Sequence, residues 1–384
     1  MSTVIPSAVS LERAAPDRWA AADVARIDPR DVSAAPLIVA SDLVRVAPDL
    51  DIWDAWPVQV QSGAPAAFGD GVTLWMALAA PPFEDPDARH GQARIHLLRH
   101  DATGWAHLGP VMPDGFSPGS REWSGSAVLD ADQRSLTLYF TATGRRGEAS
   151  LTFEQRLFCA RASLETSGDR PRLFDWRDLR EIVRRDPAHY MASDGGVGVI
   201  GTIKAFRDPA YFHDPCDGGH YLFFAGSAAS GAAFNGVIGA AVSRSGKADD
   251  WRLVSPLIDA TDVNNELERP HVVIADGLYY MFWSTQSHVF APDLRRAPTG
   301  LYGMVSERPT HGWRPLNGTG LVFANPPAAP RQAYSWLVLP DLSVISFVDD
   351  WGRAGEAGGS RRFGATFAPT LHLWLEGDKA GLES

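Results

Sequence analysis

The sequence predicts an all-β chain, and three observations predict it: abundant aromatic residues, short apolar runs between turn formers, and a tandem recurrence of the same strand order. The 384 residues include 13 Trp, 18 Phe and 8 Tyr alongside 36 Gly and 28 Pro. With 45% hydrophobic and 21% charged residues the composition is that of a packed globular chain, which excludes disorder, coiled coil and collagen-like repeats.

Along the chain, residues 1–30 mix acids and arginines through an Ala-rich stretch, and residues 1–40 predict an N-terminal extension, helical in part and packed on the outside. Residues 41–384 predict the main domain. Runs of β-formers recur at 72–78, 93–98, 135–141, 220–225, 236–242, 278–283, 300–305 and 343–348, separated by Gly, Pro, Asp and Asn clusters. The one further helix expected is 176–185, where Leu179, Ile182 and Val183 recur among Arg and Glu. Internal similarity selects among all-β folds. Residues 220–258 read as a strand (HYLFFAG), a Gly-rich strand (GVIGAAVS), a charged turn and Trp251 before an apolar strand. Residues 278–322 repeat that order with LYYMFW, GLYGMVS, Trp313 and GLV, and 72–111 are a weaker copy ending at Trp105. The step from Trp251 to Trp313 is 62 residues, so the stretch from Asp49 to Trp374 holds about five units. Five tandem four-stranded units predict a five-bladed β-propeller. A β-sandwich, the runner-up, does not produce this tandem order.

Charge and cysteine usage exclude several functions. The 35 basic and 46 acidic residues leave a formal charge of −11, which repels nucleic acid and anionic membrane surfaces. No apolar run approaches the roughly 18 residues of a membrane span. Cys159 and Cys216 have no CxxC spacing, so thiolate zinc sites and a disulfide framework are excluded, while a single bridge stays open. Residues 1–30 lack the basic start and apolar core of a secretory signal; a signal-independent export route leaves no such mark. The 196–201 stretch matches GxGxxG but has no strand before it or helix after it, so no dinucleotide site is expected.

The chemistry is expected where a propeller's innermost strands gather polar residues. Trp53-Asp54-Ala55-Trp56-Pro57, Arg207-Asp208-Pro209 and Glu266-Leu267-Glu268-Arg269-Pro270 fall at comparable places in successive units, with Glu122-Trp123-Ser124-Gly125-Ser126 in the second. Singly, each reads as a capped turn or a surface ion pair. Together, opposed carboxylates with aromatic walls are the equipment of glycoside cleavage, one attacking the anomeric carbon and the other protonating the leaving oxygen. The tryptophans offer flat apolar faces to sugar rings.

WDAWP, REWSGSA, FRDP, NELERPHVV and QAYSWLVLP stand in this order. Together they resemble the levansucrase and inulosucrase family of fructosyltransferases (glycoside hydrolase family 68), from Asp49 to beyond Gly364. That resemblance implies a five-bladed propeller and a retaining reaction on sucrose. It implies Asp54 as nucleophile, Glu268 as general acid/base and Asp208 as the carboxylate that holds fructosyl hydroxyls. Trp53, Trp123, Ser124 and Arg207 match its fructose pocket, and Glu266 and Tyr334 match positions near the glucosyl side. The implied partners are sucrose and fructan acceptors, with no cofactor and no metal, at an extracellular or periplasmic bacterial location, the alternative being a cytoplasmic one. Levan linkage is expected over inulin on family frequency alone.

The sequence departs from the family pattern on the acceptor side. Gln286 stands where many relatives have Arg or His, and Trp336 where some have His. Ala225 replaces a Glu, and Asn265 and Thr202 stand in place of expected calcium ligands, so no structural calcium is expected. His90, in Arg89-His90-Gly91, matches a loop near the site. The alternatives are an invertase of the same family, a non-catalytic carbohydrate-binding propeller and, more distantly, an inverting glycosidase on an arabinose-type sugar.

Overall fold

The structure, a computed structural model, describes residues 15–69, 71–166, 170–195, 203–352 and 361–383. Each of five successive stretches folds into an antiparallel sheet of at least four strands, and each sheet begins with one of the motifs above. The first blade comprises Asp51–Gln59, Thr73–Ala80, Arg94–Asp101 and Gly104–Pro110. The second comprises Arg121–Leu129, Ser135–Thr143, Gln155–Glu165 and Arg172–Val183. The third runs through Phe206–His213, His220–Ser227 and Gly236–Ser243 to two short outer strands, Arg252–Leu253 and Ile258–Asp259. The fourth runs through Glu268–Ala275, Leu278–Thr285 and Gly300–Ser306 to Arg314–Pro315 and Leu321–Ala324. The fifth comprises Ala333–Val338, Ser343–Val348, Leu371–Glu376 and Lys379–Leu382. All eight apolar runs singled out in the sequence fall on these strands.

The first strand of each blade neighbours the first strand of the next, and that of the fifth returns beside that of the first. This ring is the propeller's axis. Between the first two blades the approach is close enough for parallel pairing, Val58 with Ala127 and Gln59 with Val128. Side chains stitch two of the others: the Tyr211 N–H donates to Ser126 Oγ at 2.9 Å, and the Val338 N–H donates to His271 Nε2 at 2.9 Å. His271 Nδ1 in turn reaches the Arg269 carbonyl at 2.8 Å, and burial keeps the imidazole neutral with its pKa lowered to about 4. Beyond the site the later residues of the inner strands, among them Trp56, Tyr211, His271 and Leu337, surround a cavity of about 540 Å³.

Residues 176–183 of the segment 176–185 are strand, not the expected helix, since Arg172–Val183 is the outer strand of the second blade. Its pairing with Gln155–Glu165 shifts register three times, and Asp175 and Asp178 take positive φ of 52° and 56°. Extra residues at bulges turn a two-residue period into three- and four-residue gaps, so Leu179, Ile182 and Val183 mimic helical spacing.

The described residues of the N-terminal segment carry one short helix, Ala21–Val24, and a 3₁₀ turn, Ala40–Asp42. Asp17–Arg18 adds to the third blade in parallel with Ile258–Asp259, and Ala34 bridges Ala324 of the fourth. Trp19 anchors it: the ring is fully buried 5.2 Å from Trp283 and from Tyr302, and its Nε1 donates to the Thr319 carbonyl at 2.9 Å.

Candidate active site

Every inner strand breaks register at the same point of its path. The shifts fall between Trp53 and Trp56, Trp123 and Gly125, Arg207 and Ala210, Glu268 and His271, and Tyr334 and Leu337. A bulge re-aims side chains that the pleat would send into the blade. Asp54, Asp208, Arg269 and Ser335 sit in these bulges at φ of 50°, 63°, 50° and 62°. Left-handed backbone costs a non-glycine residue roughly 1–2 kcal/mol, least for Asp. In the second blade Gly125 permits the bulge, because a Cβ there would lie 1.9 Å from the Tyr139 carbonyl oxygen.

The five bulges bring two tiers of side chains to one end of the axis. Trp53, Trp123, Arg207, Glu268 and Tyr334 form one tier; Asp54, Ser124, Asp208, Arg269 and Ser335, each the next residue, form the other. The expectation of three carboxylates at equivalent places needs a correction. Asp54 and Asp208 are equivalent, but Glu268 stands one residue earlier, and Arg269 occupies the Asp place in its blade.

Charge pairing holds the tiers together. Ser124 Oγ donates to Asp54 Oδ2 at 2.8 Å, and Arg269 Nη1 lies 3.9 Å from Asp54 Oδ1. Arg269 is itself fixed through Ser335 Oγ at 2.9 Å and the Ala55 carbonyl at 2.6 Å. Arg207 serves three acids: Nη2 donates to Glu268 Oε1 at 2.7 Å and lies 3.9 Å from Glu266 Oε2, while Nε is 3.6 Å from Asp208 Oδ2. The Tyr334 hydroxyl donates to the other Glu268 oxygen, Oε2. The Asp208 N–H donates to Thr141 Oγ1 at 2.9 Å, which bonds the Ser124 carbonyl at 3.1 Å and so ties the second and third blades.

Burial sets the protonation states. It pushes Asp208 up to about 7, aided by the charges of Glu268 and Asp54 and opposed by Arg207. Glu266 is pushed up to about 8, by burial first and Glu268 next. Burial alone would lower Arg207, but Glu268, Glu266 and Asp208 outweigh it and hold the guanidinium above its ordinary value. Burial and the Glu268 charge raise the Tyr334 phenol well above its usual range, so it stays a donor. The pit is a desolvated acid cluster around two fixed guanidinium groups, Arg207 and Arg269.

Nine of the ten sequence-predicted residues meet here. Trp53 and Trp123 flank His90, whose ring lies 5.9 Å and 6.4 Å from theirs and whose carbonyl accepts from Trp123 Nε1 at 3.3 Å. Burial and the Arg89 charge keep His90 neutral, so it acts as a wedge behind the tryptophans. Gln286 is the exception. It follows the strand Leu278–Thr285, and among the described residues no hydrogen bond or ion pair joins its side chain to the carboxylates. Trp336, expected toward the acceptor, is fully buried behind Tyr334 at 5.9 Å, with its backbone N–H donating to Ser284 Oγ. Ala225 is buried opposite Arg207 in the sheet. Arg269 and Thr141 are positions at the site that sequence reasoning passed over. Arg269 carried a signal, since it follows Glu268 as Asp54 follows Trp53. The GxGxxG stretch and Thr202 lie outside the described residues. Among the described residues no three His, Cys, Asp or Glu side chains group to hold a metal ion, and none of the helices is long and apolar enough to cross a membrane.

A ring of five blades whose axial end gathers acids, arginines and indole walls defines a carbohydrate-active propeller. Comparison with known proteins narrows the class. A family profile described as Levansucrase/Invertase matches residues 9–237 and 230–383. Levansucrase LscA of Pseudomonas savastanoi pv. glycinea is 31% identical across 95% of this chain and 94% of its own. The structure superposes on an inulosucrase from Halalkalicoccus jeotgali bound to kestose with a TM-score of 0.87, at 34% identity over 96% of this chain and 95% of that one. A levansucrase from Gluconacetobacter diazotrophicus shares the fold at a TM-score of 0.84 and 22% identity, over 98% of this chain and 91% of that one. The chain belongs to the levansucrase/invertase family, glycoside hydrolase family 68.

Proposed function

We propose that this chain is a retaining fructosyltransferase that cleaves sucrose through a covalent fructosyl-enzyme and passes the fructosyl unit to a growing fructan, a short oligosaccharide or water. The observation that carries this reading is the meeting of Asp54, Arg207, Asp208 and Glu268 on the axial bulges. Asp54, oriented by the Ser124 hydroxyl and the Arg269 charge, attacks the fructosyl anomeric carbon. Glu268 protonates the glycosidic oxygen, and glucose leaves. An acceptor hydroxyl then gives its proton to Glu268 and displaces Asp54, so two inversions retain configuration. Asp208 accepts from fructosyl hydroxyls. Arg207 Nη1, buried with no partner among the described residues, supplies a further donor to the same sugar. Trp53 and Trp123 offer apolar faces to the ring. Gln286 is assigned to the acceptor side, where an uncharged amide fits a neutral sugar hydroxyl. The levansucrase and inulosucrase relatives support the substrate, and levan-type linkage is carried over on their frequency. We propose an extracellular or periplasmic location, with a cytoplasmic one as the alternative.

The test is incubation with sucrose, following glucose, free fructose and product linkage. Glucose in excess over free fructose is expected. Equal amounts would favour an invertase, and no glucose would favour a sugar-binding propeller. Asp54→Ala, Asp208→Ala and Glu268→Ala should each abolish glucose release with circular dichroism unchanged; near-normal turnover in one would remove its role.

A further inference from the structure

Lys204 is buried, with 8% of its surface exposed, and its ammonium faces three oxygens at hydrogen-bond distance. Nζ donates to the Ala233 carbonyl at 2.7 Å, to Asn235 Oδ1 at 2.7 Å and to Asn265 Oδ1 at 2.6 Å. The three N–H donors of an ammonium are thereby all used, one per acceptor. Among the described residues no carboxylate lies within ion-pair distance of Nζ. A buried ammonium is tolerated only when its hydrogen bonds are complete, and here neutral oxygens complete them. That is an oxygen cage with a cation at its centre, the cation being tethered to the chain.

The cage joins the segments that feed the site. Lys204 stands three residues before Arg207 and four before Asp208. Its own carbonyl accepts from Gln155 Nε2 at 2.9 Å, and Gln155 Oε1 accepts from the Phe206 N–H at 3.0 Å. Asn265 directly precedes Glu266 and stands three residues before Glu268. Its backbone N–H donates to the Val289 carbonyl at 3.0 Å, and the Glu266 N–H donates to Asn264 Oδ1 at 2.7 Å. Asn235 is held from the third side, donating to the Ala228 carbonyl at 2.7 Å. Asn235 and Asn265 are 0% and 1% exposed, so water does not substitute freely for the ammonium.

We propose that the Lys204 ammonium is a tethered structural cation that fixes the segment bearing Arg207 and Asp208 against the one bearing Glu266 and Glu268, and that truncating it opens a site for a small free cation. Lys204 is thus a positioning residue, and the catalytic part of the inference rests on the reading of Glu268 as acid/base. The cage selects for charge and size: three converging acceptors with no donor among them favour ammonium, methylammonium or potassium over a neutral molecule, and exclude a bulky cation.

The experiment compares wild type with Lys204→Ala at matched ionic strength in ammonium, methylammonium, potassium and tetramethylammonium chlorides. It records kcat and KM for sucrose cleavage together with the thermal unfolding midpoint. Lys204→Ala in tetramethylammonium should lose about 10- to 100-fold in kcat, the size a misplaced catalytic group produces, with a smaller change in KM. Ammonium or methylammonium should restore most of that loss and raise the midpoint, and wild type should respond to neither. If Lys204→Ala does not fold alone, refolding yield in methylammonium against tetramethylammonium reads the same cage. Wild-type kcat in Lys204→Ala, or equal behaviour in all four salts, overturns the proposal. A wild-type protein inert toward sucrose would sink the enzymatic reading instead, and the unfolding midpoints would still decide the cage.

Discussion

Replacing Arg207 by Met removes the one cation that serves three acids. The perturbation deletes the 2.7 Å hydrogen bond to Glu268 and the flanking contacts to Glu266 and Asp208. A hydrogen bond to a charged group contributes about 1.5–3 kcal/mol, and breaking a buried pair leaves an uncompensated charge at about 3–5 kcal/mol. Asp208 is already at about 7 and Glu266 at about 8 with the guanidinium opposing both shifts. Without it both rise further, and the carboxyls go neutral rather than remain as unpaired anions. The transition state loses its oriented donor and an ionised Asp208 together, worth about 3–4 kcal/mol, or roughly 10²- to 10³-fold in kcat/KM. Residual activity should move toward higher pH, because carboxyls of raised pKa ionise only there. Initial rates of glucose release across pH, with Arg207→Lys as the charge-retaining control, test this. Arg207→Met within tenfold of wild type, with an unmoved pH profile, would refute the reasoning.

Other outcomes follow from the same geometry. Ser124→Ala loses the 2.8 Å hydrogen bond to Asp54 and should lower kcat about 10- to 100-fold with little change in melting, checked by steady-state kinetics. Glu266 binds its proton more tightly folded (about 8) than its ordinary value of 4.5, so its contribution is full below about 4.5 and is lost as pH rises toward 8. Glu266→Gln should therefore gain stability over wild type progressively across that window, by ~1 kcal/mol or more at pH 8; denaturant titrations showing a constant difference would contradict it. Trp19→Ala removes a fully buried indole and should cost about 3–5 kcal/mol of unfolding free energy while the folded fraction keeps its kcat.

The strands were legible wherever packing left a simple pattern. Runs such as Leu278–Thr285, buried on both faces, are unbroken stretches of β-formers. The outer strand Arg172–Val183 misled because its bulges distort the two-residue period. The pit was legible because residue types announce their chemistry: carboxylates beside Trp, Arg and Pro recur in the order of the blades. What sequence alone hid was register. That Arg269 rather than Glu268 is the counterpart of Asp54 depends on where each bulge falls, a property of strand pairing. Trp336 stands on the acceptor side in its motif but is turned into the core behind Tyr334. Lys204 carried no signal, since its three acceptors are distant along the chain and meet only when the third and fourth blades close.

The retaining reaction depends most directly on the nucleophile. Glu268→Ala, given a fructosyl donor whose leaving group needs no proton, completes the first displacement but lacks the base for the second. Mass spectrometry of the quenched, digested protein should then find one fructosyl residue on the peptide carrying Asp54. An adduct on another carboxylate, or rapid release of fructose with no adduct, would contradict the assignment.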